Sequence, residues 1–312
     1  MPLARPHTML DVHCLSTIEP MACGVFWFLH IGKTGGGEVK RFLGQVAARK
    51  NASGASWTFV DLFSSPRGGP SLASPSMAAG NSSARWRPAL CDPPLASPSM
   101  TAWNSSATWR PAHIELQSPR PRLLVHQHHC SPGLGAHLLP QLLRLRSELE
   151  SRGCQLYLAT VLREPAALAV SSARYNQMRS NTRGDMSAAN NSVDEQIKYV
   201  ELGFKILRRR SGEFSSSVPA TPQLLEDAAR TLSAFDLVGR TENLTSFIDD
   251  TARIIGVQPP RSFPHVHSTA NLTHSYDFTK ADMATLRARN ALDVAFVNRI
   301  TRERRCDGKR RY

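Results

Sequence analysis

The sequence predicts an α/β domain in which a central, mainly parallel sheet is flanked by helices. Three observations predict it. Short β-prone runs alternate with amphipathic helical stretches along most of the chain. A glycine-rich turn joins the first strand to the first helix, and 41% hydrophobic residues in a chain of 312 supply a sizeable core. In such sheets ligands gather at the carboxyl ends of the strands, which is where candidate chemistry is sought.

Residues 25–31 (VFWFLHI) are bulky and β-prone and stop at glycines. Val39, Phe42, Leu43, Val46 and Ala47 then recur at helical spacing, giving a helix to about Lys50. Trp57 to Phe63 reads as a second strand. From Ser64 to Pro121 the composition shifts, and about half of the 21 prolines fall there. Inside it LASPSMAAGNSSARWRPA (72–89) recurs as LASPSMTAWNSSATWRPA (95–112) with three differences, a tandem duplication within a surface insertion.

Order resumes at Arg122, with a short strand at Leu123–His126 followed by a histidine-rich turn. A leucine-patterned helix is expected over 134–150, and a buried strand over 155–162 (QLYLATVL). Pro165 then opens a helix to about Arg179, 184–191 is a loop, and 193–210 is a helix. Thr221-Pro222 starts another helix, 236–238 is a short strand, and 244–255 is a helix closed by Gly256. Thr279 with Asp282 forms a variant capping box for one long final helix over roughly 280–304. One domain over 25–305 is expected, preceded by a poorly ordered segment 1–24, with the insertion at 64–121 and a basic tail at 306–312.

Lys plus Arg outnumber Asp plus Glu by 38 to 25, a net charge of +13, which favours an anionic partner. No nucleic-acid-binding signature accompanies that charge, so nucleic acid is not expected. The six basic residues among the last eleven read either as a solvated tail or as a contact for acidic glycan or phosphate. No window is apolar enough for a membrane span, and neither an anchor nor a signal-peptide core is visible. The six cysteines lack C-x-x-C spacing, which argues against a zinc or redox motif and leaves disulfides open. Six of the eleven asparagines (Asn51, Asn81, Asn104, Asn190, Asn243 and Asn271) open N-x-S/T sequons. Chance would give about two, so the excess leans toward a secretory lumen.

The sharpest local feature is His30-Ile31-Gly32-Lys33-Thr34-Gly35-Gly36-Gly37, between a strand and a helix. Successive glycines let backbone N–H groups close around an anion, and the following helix adds its positive end. Lys33 supplies a point charge. A triphosphate-binding P-loop is disfavoured, because that motif needs glycine where Trp27 stands. The bland alternative is a glycine-rich turn with a stray lysine. A second feature is Arg163-Glu164-Pro165 after QLYLATVL, with Ser171 eight residues beyond Arg163. Arg163 at the strand end and Ser171 two turns into the helix could share one phosphate; an ordinary Arg-Pro helix start is the alternative.

Together these two segments resemble the PAPS-dependent carbohydrate sulfotransferases of the Golgi, a P-loop-like three-layer fold. The resemblance continues through Val238-Gly239-Arg240-Thr241-Glu242 and Asn290-Ala291-Leu292-Asp293, covering about residues 25–63 and 122–305. It implies 3'-phosphoadenosine-5'-phosphosulfate (PAPS) as sulfuryl donor, without a metal. Gly32, Lys33, Thr34, Gly35, Gly36 and Gly37 would hold the 5'-phosphosulfate, Arg163 and Ser171 the 3'-phosphate. It also implies a glycan acceptor, an anionic polysaccharide or glycoconjugate, and a Golgi lumenal setting. The motif is closest to the uronosyl (heparan sulfate) 2-O-sulfotransferase branch, whose H-x-H pair is similar to His126-Gln127-His128. That similarity makes His128 the first candidate for the base and His126 the second; a solvated histidine turn, or a metal pair completed by His137 or Cys130, are the alternatives. The chain departs from the family with Gly37-Glu38 where hydroxyl residues are usual, and with Glu164 for aspartate. Two rival readings stay open, a non-catalytic nucleotide- or glycan-binding relative and a P-loop nucleotide kinase.

Overall fold

The computed structural model describes residues 20–48, 57–63, 120–128, 134–180, 185–190, 193–202, 219–260 and 276–303. Most of the insertion, the terminal segments and five of the sequons (Asn51, Asn81, Asn104, Asn271 and the residues after Asn190) lie outside them in whole or part. Five strands form one parallel sheet: β1 (Gly24–His30), β2 (Thr58–Phe63), β3 (Arg122–His128), β4 (Gln155–Leu162) and β5 (Leu237–Arg240). Their order is β2-β3-β1-β4-β5, so β1 is central and buried on both faces. The chain leaves β1 toward the β2 edge and leaves β4 toward the β5 edge. The crevice between the carboxyl ends of β1 and β4 is therefore the switch point where such sheets receive ligands.

Alternation along β1 sorts its side chains into two cores. Val25, Trp27 and Leu29 pack with helices α2 (Leu139–Glu150), α5 (Glu195–Leu202), α6 (Pro222–Ser233) and α9 (Ala291–Glu303) on one face. Phe26 and Phe28 pack with α1 (Gly36–Ala48) and α7 (Leu244–Ile255) on the other. The result is the three-layer α/β architecture expected from the sequence. Helices α3 (Pro165–Ser180), α4 (Met186–Asn190) and α8 (Lys280–Arg289) form a smaller alanine-rich cluster beside it, through Ala166, Ala169, Ala173, Ala189 and Leu286.

Several expectations hold to the residue. Thr221 caps α6 by accepting from the Leu224 N–H, and Gly256 closes α7 with φ 72°. The Thr279–Asp282 capping box forms on α8. Others are corrected. The final helix is two helices, because the Asn290 amide turns inward and bonds to the Leu286 carbonyl and to the Asp194 N–H. The expected loop at 184–191 contains the short α4, and the helix expected from 134 opens with a π-helical turn over Leu134–Leu138 before Pro140. The histidine turn after residue 126 is strand through His128. Packing also begins before residue 25: Met21 is buried and its N–H bonds to the Ile254 carbonyl. The helix expected over 193–210 starts at Glu195, and its part beyond Leu202 lies outside the described residues.

Cys23 and Cys154 form a disulfide between the starts of β1 and β4. It joins residues 131 apart in sequence, a loop whose closure in the unfolded chain is worth about 5 kcal/mol on entropy grounds. Replacing both cysteines with alanine should lower the unfolding free energy by about 2–5 kcal/mol. Reductant should destabilise the wild type by a similar amount and leave the double variant unchanged. Equal sensitivity in the two proteins would rule the bond out.

Candidate functional site

The β1–α1 turn wraps around the end of the central strand in a conformation that exposes backbone donors. Lys33 has φ 64° and Gly35 φ 86°, a left-handed pair rare for a lysine. Alternation of such residues with right-handed ones produces an anion-binding concavity. Its carbonyls are pulled into the protein from several directions. Tyr199 Oη donates to the His30 carbonyl at 2.7 Å, Thr34 Oγ1 to the Ile31 carbonyl at 2.7 Å, and Arg163 Nη1 to the Lys33 carbonyl at 2.9 Å. Thr241 Oγ1 lies 2.9 Å from the Thr34 carbonyl and 3.2 Å from the Leu162 carbonyl. Because a trans peptide points its C=O and N–H oppositely, drawing the Thr34 carbonyl inward turns the Gly35 N–H outward. The N–H groups of Gly36 and Gly37 lie in the first turn of α1, where no intrahelical acceptor exists.

Arg163 sits at the end of β4, across the crevice from Lys33. Its peptide is clamped by Gln196, which accepts from the Arg163 N–H and donates to the Arg163 carbonyl, both at 2.9 Å. Gln196 is itself fully buried and belongs to the first turn of α5. That turn is held by Asp293, whose carboxylate accepts from the Gln196 N–H at 2.9 Å and the Ile197 N–H at 3.0 Å. Burial pushes the Asp293 carboxyl up to about 7 against those two bonds. Glu164 caps α3 by accepting from the Ala167 N–H at 2.7 Å and pairs with Arg287 at 2.9 Å. The departure from aspartate therefore serves the helix end, with Pro165 in the first helical position as expected. Ser171 lies two turns further along α3 and is half-buried.

Two cations therefore share the crevice. Burial, with Arg163 nearby, pushes the Lys33 amine down to about 8, and Glu38 opposes that shift. Lys33 Nζ lies 3.9 Å above the Tyr175 ring. Burial likewise lowers Arg163, with Glu242, Glu164 and Glu38 working the other way. Glu38, in the first turn of α1, thus acts electrostatically on both cations.

Beside the loop lies a histidine pair. His126 is 1% exposed; its Nδ1 is 2.8 Å from Asp61 Oδ1 and its Nε2 is 3.2 Å from His30 Nδ1. Lys40 Nζ is 2.5 Å from the other Asp61 oxygen. Phe28 stacks at 5.9 Å on the His126 ring. Burial holds the His126 imidazole below its ordinary range, only partly offset by Asp61. For Asp61, burial alone would raise the carboxyl, but the bonds to His126 and Lys40 outweigh it and the net shift is downward. His128 closes β3, in register with His30 of β1 and Phe63 of β2.

No family model matches the chain, and no curated protein matches it. What it does is read from this edge of the sheet. Lys33, Thr34, the glycines of the turn and Arg163 lie at the ends of the adjacent strands β1 and β4, with Arg163 bonded to the Lys33 carbonyl. His126 does not face the crevice; it lies behind His30 with both ring nitrogens engaged. Among the described residues no group of histidine, cysteine and carboxylate side chains is arranged to hold a metal ion. Gln196, Tyr199 and Asp61 were missed, since each lies far from its partner in sequence. Thr241 stood in a segment already singled out, but its role needed β5 beside β4. Of the sequons, Asn243 is exposed, while the Asn190 side-chain oxygen is buried.

Two measurements check these electrostatics. Arg163→Ala should raise the Lys33 amine above 8, read from the pH dependence of its side-chain NMR resonances; an unchanged or lower value would contradict the shared field. His126 should titrate below the ordinary histidine value of 6.5. As the pH falls through 6.5 the unfolded chain takes up that proton before the folded one does, so this group's contribution turns destabilising on the acid side. A His126 titration at or above 6.5 would contradict its burial.

Proposed function

We propose that this chain is a sulfotransferase that moves a sulfuryl group from PAPS to a hydroxyl of a carbohydrate. The observation that supports it best is the joining of the two candidate anion sites. Arg163 at the end of β4 bonds the carbonyl of Lys33 in the left-handed loop after β1, so one ligand with phosphates at both ends can span them. The residues fit such a ligand. The loop offers outward N–H donors, Gly32 leaves open space where a side chain would stand, and a guanidinium with four further donors lies opposite.

PAPS, when bound, supplies the sulfuryl group. The Gly35–Gly37 N–H groups and the α1 terminus hold its 5' end, Arg163 and Ser171 its 3'-phosphate. Lys33 neutralises charge growing on the departing side, an electrostatic role suited to a reaction that needs in-line positioning more than covalent help. The base is a histidine at the carboxyl ends of β1 and β3, where His128 and His30 are register partners. The acceptor is an anionic glycan, in keeping with the net charge of +13. The Cys23–Cys154 disulfide and the sequon excess support a secretory, Golgi-like lumen as the setting.

Glu38 favours a second reading, a relative that binds nucleotide or glycan without transfer, because its carboxylate opposes an incoming sulfonate. Glu38→Ser should then strengthen nucleotide binding. The deciding experiment is thermal stabilisation by 3'-phosphoadenosine-5'-phosphate against ATP with magnesium, on the wild type and Arg163→Ala. Saturation a hundredfold above the dissociation constant should stabilise by about 2.7 kcal/mol. A shift that requires the 3'-phosphate and disappears in Arg163→Ala is expected. No shift, or a preference for ATP with magnesium as a kinase would show, overturns the reading.

A further inference from the structure

We infer that Asp61 and His126 are positioning residues that set the tautomer of His30, leaving His30 Nε2 as a proton acceptor at the mouth of the loop. The inference rests on the sulfotransferase reading only for the use made of that acceptor; the hydrogen-bond logic stands on geometry.

An ionised carboxylate only accepts hydrogen bonds. Asp61 is held ionised by Lys40, 2.5 Å from Oδ2, and so the His126 Nδ1 facing Oδ1 at 2.8 Å must carry the hydrogen. His126 is enclosed at 1% exposure against Phe28, which disfavours a charged ring. A neutral imidazole has one N–H, so His126 Nε2 is a lone pair. The only hydrogen that can fill the 3.2 Å contact then belongs to His30 Nδ1. A neutral His30 with Nδ1–H has no hydrogen on Nε2. Free histidine prefers the opposite tautomer, so the chain from Asp61 is what imposes this one, as a buried carboxylate does one step behind other catalytic imidazoles.

The other edge of the His30 ring is placed just as tightly. A Cβ on Gly36 would stand 1.9 Å from His30 Cδ2 and 2.3 Å from Nε2. Gly36 is therefore glycine to admit the ring, and Nε2 lies over the first turn of α1, the turn that offers its N–H groups to the anion. The positive end of α1 also opposes a proton on His30 until one arrives from a reacting group. On the proposed reaction the acceptor O–H bond and the donor's bridging S–O bond break as the new O–S bond forms, and 3'-phosphoadenosine-5'-phosphate leaves with the bridging oxygen. The proton passes to His30 Nε2, and the resulting imidazolium is stabilised through Nδ1–H, His126 and the Asp61 carboxylate.

The test is long-range proton–nitrogen NMR on the full chain labelled with ¹⁵N-histidine, His30 being assigned by His30→Gln. The wild type should show His30 protonated on Nδ1 and bare on Nε2 at neutral pH. In Asp61→Asn the new amide can donate to His126 Nδ1, which reverses both rings and moves the His30 hydrogen to Nε2; Asp61→Ala should release the preference. Asp61 lies on the edge strand with its side chain 27% exposed, and retention of the wild-type fold is checked in the same spectra. Wild-type His30 carrying its hydrogen on Nε2, or an unchanged His30 tautomer in both Asp61 variants, overturns the inference. Where an acceptor is turned over, Asp61→Asn should lower kcat by roughly 10²–10⁴-fold with donor KM and 3'-phosphoadenosine-5'-phosphate stabilisation unchanged. The expected tautomers with no nucleotide binding would leave this inference standing and remove the sulfotransferase reading.

Discussion

The constraint on which the rest of the site depends is the orientation of four carbonyls around the end of β1. Those of His30, Ile31, Lys33 and Thr34 are held by Tyr199, Thr34, Arg163 and Thr241, which come from α5, the turn itself, the end of β4 and the end of β5. A buried carbonyl left without a partner costs about 1–3 kcal/mol, so these bonds favour this path of the turn over others. The same bonds turn backbone donors outward and give Lys33 a backbone conformation it would not hold alone.

Behind the loop, a buried polar scaffold fixes one of those donors. Asp293 and Asn290 from the junction of the last two helices, with Asp194, anchor the start of α5 through backbone N–H groups. α5 carries both Gln196, which clamps Arg163, and Tyr199, which reaches His30. The break at Asn290 that divides the final helix is thus part of the device that seats Arg163. Asp293 accepts two charge-assisted bonds in a fully enclosed position, and burial still raises its carboxyl to about 7. Its position is conditional on the packing around it, and so is the reach of Arg163.

Charge in the crevice is balanced and local. Burial and the neighbouring Arg163 depress Lys33, burial depresses Arg163, and Glu38 restrains both shifts. An arriving dianion would relieve the repulsion between the cations while meeting that carboxylate. On the β3 side, Lys40 and Asp61 back the buried His126, which in turn meets the partly exposed His30. The two halves meet at Gly36, which serves at once as the start of α1 and as the floor of the His30 ring.

Elements set by local chemistry were legible in the sequence. The strand–glycine–helix turn, Pro165 at a helix start, the Thr221 and Thr279 caps and Gly256 at a helix end each depend on a few neighbouring residues and were read from them. The parallel sheet followed from the alternation of strands and helices. Two boundaries were not legible, the β3 extension through His128 and the break at Asn290, because pairing with β1 and the Asp194 contact decide them. The partners of the site were hidden for the same reason: Gln196, Tyr199, Thr241 and Asp61 act on groups 33 to 207 residues away. The sequence by itself determined which residues could bind an anion and where the backbone could turn. Only the tertiary structure decided how those donors are aimed and that the His30 ring lies against Gly36, since both depend on strand register and long-range hydrogen bonds.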